Sequence, residues 1–99
     1  MDLLPADVER MLPRLYGQEH VADPTVFVKY FDPSGSFTWL ATEGERQPNG
    51  DFLFFGRVDG SERDFGYFSI WQLGSVRGRF GLGIERDRFF HPTPLSAVR

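Results

Sequence analysis

The sequence predicts an α+β fold: an antiparallel meander sheet of four to five strands with an N-terminal helix and a short helix after the fourth strand. Three observations predict it. Near the N-terminus, apolar residues recur every three or four positions at Leu4, Val8, Met11, Leu12 and Leu15, the spacing of one helical face. From Thr25 onward, runs rich in Val, Phe, Tyr and Trp are separated by short Gly, Pro, Asn and Asp turns, which is hairpin chemistry. Ser69 is then followed three residues later by Gln72, a capping box that opens a helix.

The first helix runs from Pro5 to about Leu12, with an irregular tail to Tyr16. Proline suits a first-turn position, and Asp7 and Glu9 sit near the positive end of the helix dipole. Pro13 ends it, because a proline inside the ladder removes a donor and clashes with the preceding turn. Strands follow in TVFVKYF, FTWLATE, FLFFGRV and DFGYFS, joined through Asp32-Pro33-Ser34-Gly35, Pro48-Asn49-Gly50 and Asp59-Gly60.

A period of two gives each strand two faces. Val26, Val28 and Tyr30 oppose Phe27, Lys29 and Phe31; Phe37, Trp39 and Ala41 oppose Thr38, Leu40 and Thr42; Phe52, Phe54 and Val58 oppose Leu53, Phe55 and Arg57. Both faces are apolar, whereas a sheet with one wet face alternates more cleanly. One helix covers one face, so the other requires the C-terminal third, a partner or a ligand.

Phe68 and Leu73 flank the second helix as a hydrophobic staple, and Ile70, Leu73 and Val76 share its inner face. It is expected to run to about Val76 and stop at a left-handed Gly78. Trp71 points about 100° away from Ile70 and has no obvious buried seat. A final strand is expected around Leu82 to Glu85, with Pro92 and Pro94 barring any ladder in the tail.

At 99 residues the chain is expected to be one domain, 1–99, without room for a second core. Its net charge of -3 is spread evenly, with neither a basic run for nucleic acid nor an acidic block. Lys29 is the only lysine, so its basic chemistry is almost wholly guanidinium. Cysteine is absent, which excludes disulfides, thiolate nucleophiles and sulfur-ligated metals. Neither a signal peptide nor a membrane span is expected, which leaves a soluble cytoplasmic protein as the expectation.

The weighable chemistry is sparse. Glu43, Glu45, Asp51, Asp59, Glu62 and Asp64 lie in or beside turns and read as solvated acids. His91 has Glu85 and Asp87 near in sequence but no serine in a nucleophile motif, and His20 lies in a polar loop. No metal or cofactor is expected. The glycines of GRFGLG lack the Walker lysine and read as a turn. Phe27, Phe31, Trp39, Tyr67, Arg57 and Arg77 are the available parts of a base-stacking platform, against which stands the negative net charge.

Together, VERMLPRLYGQE, DPTVFVKYFDPSGSFTWLATE, FLFFGRV, FGYFSIWQL and GLGIERDRFFHPTPLS resemble the bacterial family called domain of unknown function 2958 (DUF2958). The most specific pieces are Gly66-Tyr67-Phe68-Ser69 leading into a helix, and Ile84-Glu85-Arg86-Asp87 with Pro92 and Pro94. In one departure, Trp71 stands where a polar residue is expected. The resemblance implies no catalytic residues but a setting on plasmids, phages and conjugative elements. The expectation is therefore a non-enzymatic protein-binding module that inhibits a host defence complex, a CRISPR effector or a restriction enzyme. Its candidate anchors are Trp71, Arg77, Arg79, Tyr67 and Trp39, since Trp, Tyr and Arg dominate interface hot spots. The alternative is a single-stranded nucleic-acid-binding accessory protein using an aromatic sheet face.

Overall fold

A computed structural model describes residues 1–98 and, of Arg79, the backbone alone. The chain forms α1 (Ala6–Met11), β1 (Thr25–Val26), β2 (Val28–Phe31), β3 (Thr38–Arg46), β4 (Phe52–Asp59), β5 (Arg63–Ser69), α2 (Ile70–Ser75), β6 (Glu85–Arg86) and β7 (Thr93–Pro94). Single 3₁₀ turns lie at Arg79–Gly81 and Leu95–Ala97. The fold is α+β, and among the described residues no helix is long and apolar enough to cross a membrane.

The main sheet is antiparallel in the order β5-β4-β3-β2-β6, a meander with β6 returning to β2. Its first face carries the core: Val28, Tyr30, Trp39, Ala41, Phe52, Phe54 and Phe68 pack with Val8 of α1, Leu73 of α2 and Ile84. Phe54 lies at the centre, 5.6 Å from the Tyr30 ring, 5.1 Å from Phe52 and 5.2 Å from Phe68. The buried Tyr30 hydroxyl donates to the Leu3 carbonyl at 2.6 Å, and loss of solvent around it pushes its pKa far above the ordinary value.

Several expectations change. The first predicted strand divides at Phe27 into β1 and β2; within the main sheet α2 still follows the fourth strand in chain order, as expected. The division coincides with a β-bulge in β3: Ala41 pairs with Gly56 and Glu43 with Phe55, leaving Thr42 as the extra residue. A Cβ at Gly56 would collide with the Leu40 carbonyl, so only glycine lets the two strands approach so closely here. Beyond the bulge β1 leaves β2's sheet and pairs with β7, and Pro94 joins that ladder opposite Thr25. A two-residue ribbon tolerates a proline that a central strand would not.

The capping box at α2 is present, Ser69 accepting from the Gln72 amide and Gln72 from the Ser69 amide. The helix ends in extended backbone at Val76, and the left-handed conformations fall on Phe80 and Gly81, not on Gly78. The final strand starts at Glu85, later than expected, leaving Ile84 to the core.

Candidate functional site

The bulge determines what the second face becomes. Without it, the period of two would turn Glu43 to the core side; with it, Glu43 shares the face of its partner Phe55. There its buried carboxylate accepts from the Tyr16 amide at 2.7 Å and the Gln18 amide at 2.9 Å. This pins the loop after α1 across the sheet and holds Tyr16 at φ 69, a left-handed backbone unusual for a bulky residue. The Gln18 side-chain amide completes the attachment, donating at 2.8 Å to the carbonyls of Thr25 and Thr42 and accepting from the Thr25 amide at 2.9 Å.

The opposite wall comes from the C-terminal segment. The Leu95 amide donates to the Pro24 carbonyl, and the Ser96 amide and hydroxyl both donate to Asp23, at 2.9 and 2.6 Å. Those hydrogen bonds, the side-chain one foremost, hold the Asp23 carboxyl below its ordinary pKa.

Between these walls lies an open groove of about 500 Å³. Phe55, Phe65 and Tyr67 line it from β4 and β5, with Tyr16, Val21 and Leu95 from the walls. Phe55 meets Tyr67 edge-on at 5.2 Å and stacks on Phe65 at 6.3 Å. The Tyr67 hydroxyl donates to the Tyr16 hydroxyl at 3.1 Å; that bond raises the Tyr67 pKa, and nearby Glu43 and Glu19 add to the rise. Glu19 and Glu43 are the charged side chains that line the groove among the described residues, with no lysine, arginine or histidine among them. It is therefore an aromatic, electronegative recess suited to cationic or polar-tipped apolar groups.

The chain matches the family model described as "Protein of unknown function (DUF2958)" over residues 3–98. It belongs to that family. The match takes in both helices, every strand and both walls of the groove. No curated protein and no solved structure matches the chain.

The candidate anchors do not converge. Tyr67 is 50% exposed and belongs to the groove. Trp71, 54% exposed, lies at the start of α2, its ring beside Gly50 and its amide donating to Asp51. Asp51 is thus a second cap for α2 and more than a turn acid. Burial tends to raise its pKa, but hydrogen bonds from Ser69, Trp71 and Phe52 together with Arg46 bring it below the ordinary value. Trp39 is a correction: at 9% exposure it packs in the core, where it cannot anchor a partner without unfolding. Arg77 is exposed, yet its guanidinium closes the end of α2 by donating to the carbonyls of Gly74 and Val76, at 2.8 Å each. The side chain of Arg79 lies outside the described residues.

The base-stacking set also separates, for Arg57 is held bidentately by Asp59 at 2.8 and 3.0 Å and Trp39 is buried. His91 is exposed, and among the described residues no three His, Asp or Glu side chains gather as a metal site. The residues missed are Tyr16, Gln18 and Phe55, and Glu43 is a correction: read as a solvated turn acid, it is 4% exposed and bound by two backbone amides. A usable signal existed: Glu43-Gly44 inside an otherwise apolar strand marks a bulge more readily than the start of a turn.

Proposed function

We propose that this chain is a non-enzymatic protein-binding module that receives its partner at β5 and the second sheet face. One observation carries the reading: β5 is a seven-residue edge strand on which Phe65 and Tyr67 stand exposed at the rim of the groove. Among the described residues no strand pairs on its outer side. Natural proteins shorten, charge or cover such edges, and here the opposite edge, β6, is only two residues long. Trp71 supplies a second, separate contact at the end of β5.

The setting that the sequence resemblance implies, on plasmids, phages and conjugative elements, makes a host defence complex, a CRISPR effector or a restriction enzyme, the partner to test first. Co-purification with such a complex, and protection of phage or plasmid from it, is the expected result. The double variant Phe65→Ala, Tyr67→Ala should lose both while remaining folded, with a melting temperature lowered by no more than about 10 °C. If the wild-type protein neither co-purifies nor protects, the proposal fails. The single-stranded nucleic-acid alternative ranks second because Glu19 and Glu43 line the aromatic groove and repel phosphates.

A further inference from the structure

The groove has a definite chemical preference, which narrows the partner. Its aromatic walls present ring faces and edges, and its acidic side chains are Glu19 and Glu43; among the described residues no basic side chain lines it, and outside the lining the exposed His20 imidazole lies 3.5 Å from Glu19. Each Glu43 oxygen accepts one backbone amide and retains further acceptor capacity. A cation that can also lie flat on an aromatic ring answers both features.

Resting on the binding-module reading, we propose that the groove receives the guanidinium of an arginine side chain from the partner polypeptide, between Tyr16, Phe65 and Tyr67, with Glu43 and Glu19 as counter-charges. Arginine fits better than lysine because its planar head is weakly hydrated and stacks, whereas an ammonium must surrender a tight hydration shell. A polypeptide fits better than a free small cation because the groove adjoins the edge of β5, which no strand among the described residues pairs. An extended segment pairing there projects alternate side chains onto the face that carries Phe65 and Tyr67.

The test is a titration of the isotopically labelled full chain, followed by NMR, with three probes: acetyl-Gly-Arg-Gly-amide, its neutral citrulline counterpart, and tetramethylammonium. The arginine peptide should shift the Tyr16 and Gln18 amides and the Tyr67 ring, and the citrulline peptide should bind about tenfold more weakly or worse. Tyr67→Ala should abolish the response, and the exposed Glu19→Gln should weaken it severalfold with the fold intact. The proposal is overturned by no shift up to about 10 mM arginine peptide, by equal citrulline binding, or by tighter tetramethylammonium binding. A dimer that Tyr67→Ala dissociates would overturn it too, by making a second copy the occupant. If the peptide fails while Phe65→Ala, Tyr67→Ala still loses the defence complex, this inference falls and the binding module stands. A peptide that binds in the absence of any such partner has the opposite meaning.

Discussion

β4 and β5 face two different environments with nearly the same side chains. On one face Phe52, Phe54 and Phe68 are almost fully buried; on the other, Phe65 and Tyr67 keep half or more of their surface in solvent. Residue type does not separate them. What separates them is cover: α1 and α2 close the first face, whereas on the second the loop after α1 touches β5 through the Tyr16–Tyr67 hydroxyl pair without covering it, and a groove remains. An apolar face closed by the chain itself stabilises the fold. One left open at a sheet edge is available for recognition.

The contrast can be broken most severely at Phe54. Phe54→Ala should cost about 3 to 5 kcal/mol in chemical denaturation, whereas Phe65→Ala should cost under about 1 kcal/mol, since it removes a half-solvated ring. Similar losses at both positions would mean that the second face is covered in solution.

Glu43→Ala probes the wall and should cost about 2 to 3 kcal/mol, because it leaves two part-buried amides without an acceptor. Hydrogen exchange should accelerate at Tyr16 and Gln18 before the core strands. Smaller again, Ser69→Ala should cost about 1 kcal/mol through the lost cap, while Trp71→Ala at the same helix end should stay within about 0.5 kcal/mol. A larger loss at Trp71 would place that ring in the core.

The faces should also differ in pH response. Asp23, lowered by Ser96, contributes stability that is present above its ordinary 3.8 and lost as pH falls through the lower folded value. Acid should therefore detach the C-terminal wall while the core holds. Tyr30, raised by burial, contributes in the opposite direction: its share is intact below 10.0 and is lost as pH rises towards the folded value. Tyrosinate absorbance should show Tyr67 ionising in the folded state and Tyr30 only with unfolding. The acid step should be the smallest of these effects, read from amide shifts around Ser96.

Local chemistry carried much of this architecture. The apolar spacing that marks α1, the Ser69–Gln72 box, the Phe68–Leu73 staple and the two faces of β4 depend on residues a few positions apart, so they could be read in order along the chain. Trp71 was legible for the same reason, since its angle on a short helix follows from its distance to Ile70. Trp39 was not, because its burial depends on a core assembled from segments as far apart in sequence as Val8 and Ile84. Arg77 had the composition of an anchor, but only the folded end of α2 gave its guanidinium two carbonyls to serve.

The groove lay furthest from view. One inserted residue, Thr42, reverses the side to which Glu43 turns, and no count by twos can anticipate that. The bonds that build the walls then join Tyr16 and Gln18 to Glu43 and Asp23 to Ser96, pairs separated by 25 to 73 residues. By itself, then, the sequence determined the two helices, the main strands, the N-terminal cap of α2 and the excess of apolar surface on both sides of the sheet. Only the tertiary structure decided which surface is closed and which left open, because burial belongs to whatever packs above a residue and not to its neighbours in the chain.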